Sequence, residues 1–292
     1  MSVEVHTIAV LGSGTMGRGI AHVAALGGFA TRLFDVAETA IASARAAIGR
    51  DLRKGVALGK VAADDAVSAL ARLSCTTELA TAVEGADLVI EAAPESLALK
   101  IELFTAVARH APAEALFASN TSALSITEIG AATGRPDRFA GMHFFNPAHV
   151  MRLVELVRGL ETAESTLASL AAVSRSMGKE VVTVRDVPGF ATSRINALIG
   201  NEAFRMLEAG VASAEDLDTA VKLGLNHPMG PFEMVDLVGL DVRLSILEHL
   251  HATLGEAFRP THLHRQFVQA GRLGRKSGRG VHRYDAEGRR IP

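Results

Sequence analysis

Over the first 185 residues, short β-rich runs alternate with longer alanine-rich stretches of helical periodicity, and few architectures accept that alternation. The runs are HTIAVL (6–11), ATRLFD (30–35), ADLVIEA (86–92), ALFASN (115–120), AGMHFF (140–145), LVELV (153–157) and EVVTV (180–184). Helical patterns fall near 17–27, 38–54, 62–72, 97–110 and 163–177. Such a chain predicts βαβ units on a doubly wound, mostly parallel α/β sheet. Most of the runs are continuously apolar, as strands are when helices cover both faces of their sheet.

From Arg185 the texture changes. DVPGF (186–190) carries a proline and a glycine, and helical patterns follow over 190–208, 214–222, 240–254 and 260–271. This places a boundary near 186: residues 1–185 as a nucleotide-binding domain, and 186–292 as a smaller all-helical domain. The basic end, GRLGRKSGRGVHRYDAEGRR, is expected to be mostly a solvated tail.

Composition narrows the function classes. Apolar residues make up 48% and charged residues 21% of the 292, as in a soluble globular protein with a sizeable core. The net charge of −2 gives no reason to expect nucleic acid or an anionic membrane as partner. The start, MSVEVHTIAVLG, lacks the basic and long apolar segments of a signal peptide, and no run approaches the roughly 18 apolar residues of a membrane span. Cys75 is the only cysteine, so disulfides and cysteine-rich metal sites are not expected. Together these favour the cytoplasm.

GSGTMG (12–17) is a G-x-G-x-x-G that follows the first strand and opens a helix, and Asp35 ends the second strand 23 residues after Gly12. That is the fingerprint of a Rossmann-type dinucleotide site. Gly12 permits the tight turn, Gly14 lets the backbone approach a pyrophosphate, and Gly17 allows close helix–strand packing. Thr15 and Met16 complete the turn, where the phosphates meet the positive end of the helix dipole. Asp35 is placed to accept from ribose hydroxyls. Its charge repels a 2′-phosphate, and Val36 and Ala37 follow it rather than arginine, so NAD is expected over NADP.

In ALFASNTSALSI, polar side chains lie at the carboxyl end of a strand, the edge where open α/β sheets bind ligands. MHFFNPAHVMRLVELV (142–157) then sets His143 in one apolar run and Glu155 in the next. The two runs are expected as strands whose side chains meet across a cleft. An imidazole titrates near working pH and suits the uptake of an alcohol proton during hydride transfer. A carboxylate beside it would fix its tautomer and stabilise its cation. A serine hydrolase is disfavoured because no G-x-S-x-G elbow or oxyanion hole is marked.

With these segments in order, the chain resembles the 3-hydroxyacyl-CoA dehydrogenase family. The resemblance is carried by GSGTMG, EAAPES-x3-K (91–100), SNTS (119–122), FAGMHFFNP (139–147), RLVELV (152–157), PGF (188–190), HPMGPFEMVDLVGLD (227–241) and GRKSGRG (274–280). It implies that His143 is the catalytic base, Glu155 its partner and Ser122 the catalytic serine, which also lies at the cofactor. It further implies that Glu95, Lys100, Asn146 and Lys276 contact NAD, and that the protein forms homodimers mainly through the helical domain.

PGFATSR departs from the family pattern, placing Ser193 where an asparagine is usual. Ser193 is expected to keep a weaker substrate contact, with Asn196, three residues on, as the alternative donor. For coenzyme A the usual lysine-rich helical pair is thin, and Lys54 is the candidate for its phosphates. The expected substrate is a short-chain L-3-hydroxyacyl-CoA such as 3-hydroxybutyryl-CoA. Two alternatives stand: a free 3-hydroxy acid or polyol acid as substrate, and a non-enzymatic NAD-binding protein on the same scaffold.

Overall fold

The computed structural model describes residues 3–291. The chain divides into two compact units, the first ending at Val187 and the second beginning at Pro188.

The first unit runs β1 (Thr7–Leu11), α1 (Thr15–Leu26), β2 (Ala30–Phe34), α2 (Glu38–Ala57), α3 (Ala63–Arg72), β3 (Leu73–Thr76), α4 (Leu79–Val83) and β4 (Leu88–Glu91). It continues with α5 (Leu97–His110), β5 (Leu116–Ser119), α6 (Ile126–Ala132), β6 (Phe139–Phe144), β7 (Leu153–Arg158), α7 (Glu164–Ser176) and β8 (Glu180–Arg185). The eight strands form one sheet in the order β3-β2-β1-β4-β5-β6-β7-β8. Every pairing is parallel except β6 with β7. The order reverses between β1 and β4, which in such sheets opens a crevice at the carboxyl ends of the strands.

Burial explains which strands read clearly. All four residues of β4 and of β5 and all six of β6 are buried, and each run is apolar nearly throughout. β8 lies at the sheet edge with an exposed, alternating pattern. β3, at the other edge, is LSCT and only four residues long, too short and too polar for its apolar pattern to announce a strand.

The second unit comprises α8 (Thr192–Glu208), α9 (Ala214–Gly224), α10 (Pro231–Val238), α11 (Leu240–Leu254) and α12 (His262–Gln269). A short antiparallel pair, β9 (Arg283–Tyr284) with β10 (Arg290–Ile291), follows, so the unit is helical but not wholly so. The Phe204 ring organises its core, stacked on His264 at 4.5 Å and edge-on to Phe232 at 5.2 Å.

The basic end is not a solvated tail. Asp236 accepts from the N–H groups of Val281 and His282, each at 2.8 Å, and from the Tyr284 hydroxyl at 2.9 Å. His282 Nε2 lies 2.7 Å from Asp218 on α9, and Arg290 pairs with Glu215. Buried carboxylates on two helices therefore fasten the terminal segment, a pattern that charge density alone does not reveal.

Candidate active site

The turn after β1 shows what each glycine does. Gly12 has φ +100°, and an added Cβ would stand 2.7 Å from the Ala92 carbonyl oxygen. A Cβ on Gly17 would stand 1.7 Å from the Gly12 carbonyl oxygen, so only glycine fits there. Gly14 differs: no heavy atom lies within 4 Å of its would-be Cβ. The space above Gly14 is therefore open and leaves room for a ligand to approach the backbone. Helix α1 opens there with no side-chain cap and no acidic residue in its first turn, and Thr15 and Met16 lie within that turn. Unpaired N–H groups and the helix dipole at such an end favour an anion.

Asp35, just past β2, accepts from the Ser13 N–H at 2.8 Å and the Ser13 hydroxyl at 2.7 Å, both on Oδ2. Burial resists ionisation of Asp35, but the hydrogen bonds from Ser13, Ala37 and Val36 outweigh it and hold its pKa below the usual carboxylate value. It is thus a fixed negative charge beside the glycine turn. These residues fit a dinucleotide with unphosphorylated ribose.

At the carboxyl ends of β4 and β5 lies a second cluster. Glu95 accepts from the Thr121 hydroxyl at 2.5 Å, the Ser122 N–H at 3.0 Å and the Ser122 hydroxyl at 3.4 Å. Lys100, 1% exposed, reaches Glu91 at 2.5 Å, the Ala93 carbonyl at 3.3 Å and Glu95 at 3.4 Å. An ammonium has three hydrogens, and three protein oxygens surround this one. Lys100 thus stands behind Glu95 and holds it in place, so its expected part in the NAD site would be exerted through Glu95. Ser122 likewise is tied to Glu95 rather than isolated at the surface.

Sequence reasoning missed Glu91. It is fully buried, where it accepts from Lys100, the Ser119 hydroxyl at 2.6 Å and the Ala93 N–H at 2.6 Å. The signal was a carboxylate ending an apolar strand with a lysine nine residues on. Asn120, also missed, accepts from the Phe144 N–H at 2.9 Å and ties the end of β5 to β6.

β6 carries His143 and β7 carries Glu155, and the antiparallel register pairs the two directly. Paired residues project from the same face with Cβ atoms roughly 5 Å apart. His143 Nδ1 lies 2.8 Å from Glu155 Oε2, with exposures of 7% and 0%. The pair therefore does not meet across a cleft, as the sequence suggested, but sits side by side within one sheet. Asn146, exposed, lies in the segment after β6, two residues beyond Phe144.

Of the remaining candidates, Lys54 is exposed in the last turn of α2. In the second unit, Ser193 is in the first turn of α8 with Asn196 one turn on, and Lys276 pairs with Asp241 at 2.7 Å.

The glycine turn after β1 with Asp35 beyond β2 has the form of a dinucleotide site, and the buried imidazole–carboxylate pair can take up the proton released when an alcohol gives hydride to a nicotinamide. Residues 7–187 match the family model described as 3-hydroxyacyl-CoA dehydrogenase, NAD binding domain, and residues 189–284 match its C-terminal domain. The chain belongs to the 3-hydroxyacyl-CoA dehydrogenase family, and NAD is its cofactor. It is 45% identical over 284 residues to a probable 3-hydroxybutyryl-CoA dehydrogenase of Bacillus subtilis, covering 97% of this chain and 99% of that one. To the mitochondrial hydroxyacyl-coenzyme A dehydrogenase of Sus scrofa it is 42% identical over 290 residues, covering 97% and 92%. The crystal structure of (S)-3-hydroxybutyryl-CoA dehydrogenase from Ralstonia eutropha superposes with a TM-score of 0.93 at 41% identity, covering 97% of this chain and all of that one.

Proposed function

We propose that the chain oxidises L-3-hydroxyacyl-CoA to 3-oxoacyl-CoA with NAD, and that its substrate is short, of the 3-hydroxybutyryl class. The observation that carries the chemistry is the 2.8 Å contact between the buried His143 Nδ1 and Glu155 Oε2. The substrate class is supported by the relatives at 41–45% identity, several of which are 3-hydroxybutyryl-CoA dehydrogenases.

When bound, NAD supplies the acceptor for hydride from the carbinol carbon. The hydroxyl proton then passes to His143. With Nδ1–H donated to Glu155, the basic nitrogen is Nε2, and the tautomer is fixed before substrate arrives. A buried imidazolium is costly unless paired, and Glu155 supplies the pairing charge at the moment the proton moves. In the reducing direction His143 gives the proton back. Ser122 turns its single hydroxyl hydrogen from Glu95 to the substrate oxygen, while its backbone N–H stays on Glu95, which Lys100 in turn holds.

Asn146 and Lys276 are further proposed cofactor contacts, Ser193 a substrate contact, and Lys54 a contact to the coenzyme A phosphates. We also infer a homodimer joined through the helical unit. This is supported by exposed apolar side chains there: Val211, Leu223, Leu225, Leu237, Val238 and Val242. Among the described residues no helix is long and apolar enough to cross a membrane.

The test is NADH oxidation followed by absorbance with acetoacetyl-CoA, then with free acetoacetate and other 3-oxo acids. Turnover confined to the thioester supports the proposal. Turnover confined to free acids would transfer the substrate to that class, and NADH binding without turnover would mark a non-enzymatic scaffold.

A further inference from the structure

Away from both sites, three side chains of metal-ligating type converge in the first unit. His22 lies on α1, Asp51 on α2 and His149 on the segment between β6 and β7. One ligand atom from each can be chosen so that all three lie within 4.8 Å of one another. The His22 side chain is almost wholly buried, at 4% exposure, and its Nδ1 has no hydrogen-bond partner. Its ring stacks on that of His149, with centroids 5.3 Å apart and planes 8° from parallel. Buried polar atoms in folded proteins nearly always have a partner, and an orphan among ligand-type neighbours points to one the protein itself does not supply.

We propose that His22, Asp51 and His149 bind a divalent first-row transition-metal ion, with Zn2+ as the best match. Two imidazoles and one carboxylate suit zinc and its neighbours, whereas calcium and magnesium prefer oxygen alone. A water would complete a four-coordinate site. Burial, reinforced by His149, lowers the His22 pKa to about 4, so at neutral pH its ring is unprotonated and offers a lone pair. Bonds of roughly 2.0–2.2 Å require the three ligand atoms to draw closer than they now stand. His149 is exposed and Asp51 partly so, and these two supply the movement while His22 stays fixed in the core.

One charge opposes the ion. Lys179 lies close enough to disfavour a cation at His22, although its ammonium is held on the carbonyls of Ala148 and Met151 and burial lowers its pKa. Asp51 offsets it. The role that follows is structural rather than catalytic. The ion would pin α1, whose first turn faces the dinucleotide, to α2 and to the segment that also carries Asn146. That segment already packs closely on α1: an added Cβ at Gly19 would stand 3.0 Å from the Ala148 Cβ.

The experiment titrates Zn2+, and Co2+ as a coloured substitute, into tag-free, chelator-treated protein. Calorimetry reads stoichiometry and affinity, visible absorbance reads Co2+ coordination, and thermal unfolding reads stabilisation. The wild type is expected to bind one ion per chain and to gain in Tm. His149→Ala and Asp51→Asn, both at accessible positions, are expected to bind at least about tenfold more weakly and to lose the Tm gain. Undiminished affinity in both variants would overturn the assignment, as would no saturable binding in the wild type. Binding lost in His143→Ala but kept in His149→Ala would place the ion at the acid–base pair and equally overturn it.

Discussion

Lys100 and Glu91 form an ion pair 2.5 Å long in which the side chains are 1% and 0% exposed. Both charges have left water, so their mutual attraction is what permits their burial. Lys100→Met strands the Glu91 carboxylate and is expected to cost about 3 kcal/mol in urea unfolding. The double variant Lys100→Met, Glu91→Gln should recover much of that loss. In both, Glu95 loses its support, so NADH affinity should fall even where stability returns. Recovered stability with unchanged NADH affinity would show that the pair serves the fold alone.

Glu155→Gln retains an oxygen for the Nδ1–H of His143 but removes the charge that stabilises the imidazolium. kcat is expected to fall at least about tenfold, equivalent to about 1.4 kcal/mol in the barrier, with KM little changed. A smaller loss in kcat would remove Glu155 from the proton-transfer step.

Much of this arrangement was legible beforehand, and the exceptions have physical causes. Continuous apolar runs announced β4, β5 and β6 because both of their faces are covered. Short edge strand β3 and the short helices α4 and α6 give no such pattern, having four, five and seven residues. α10 gives no helical pattern of its own because its eight residues lie between Gly230 and Gly239. Strand direction is not written in hydropathy at all. It was nevertheless implied: residues 145–152 are too few for a parallel crossover, which needs a dozen or more. Reading that length would have set β6 and β7 antiparallel and placed His143 beside Glu155. Glu91 escaped because a buried carboxylate is marked only by its partners, which the fold brings together from positions 93, 100 and 119.

The Asp35 carboxyl is held below its unfolded value of about 3.9 by hydrogen bonds that outweigh its burial. An acid with a depressed folded pKa adds stability above its unfolded pKa and loses it as pH falls through the folded one. The difference in urea midpoint between wild type and Asp35→Asn should thus be fully developed at pH 7 and shrink below about pH 4. The same variant removes the charge that repels a 2′-phosphate, so its NADP/NAD ratio in kcat/KM should rise. A ratio that stays fixed would show that Asp35 does not set cofactor choice.

Ser193 and Asn196 share one face of the first turns of α8. If Ser193 holds the substrate, Ser193→Ala should lower kcat/KM by roughly fivefold, the worth of about 1 kcal/mol in one neutral hydrogen bond. Ser193→Asn should raise it above wild type. An unchanged Ser193→Ala together with an impaired Asn196→Ala would move the contact to Asn196.

Gly14 and Gly17 separate binding from folding within one turn. A methyl group at position 17 would sit 1.7 Å from the Gly12 carbonyl oxygen, a backbone atom that cannot step aside. Gly17→Ala should therefore lose roughly 1–3 kcal/mol or more of stability. At Gly14 the backbone has φ −60°, which any residue adopts, and an added methyl meets no protein atom within 4 Å. Gly14→Ala should unfold at the wild-type temperature yet bind NADH at least about tenfold more weakly, because its methyl stands where the pyrophosphate approaches. Fluorescence titration with NADH beside a thermal melt reads both quantities on one sample. Wild-type affinity in Gly14→Ala would mean that the open face of this turn is not where the phosphates lie.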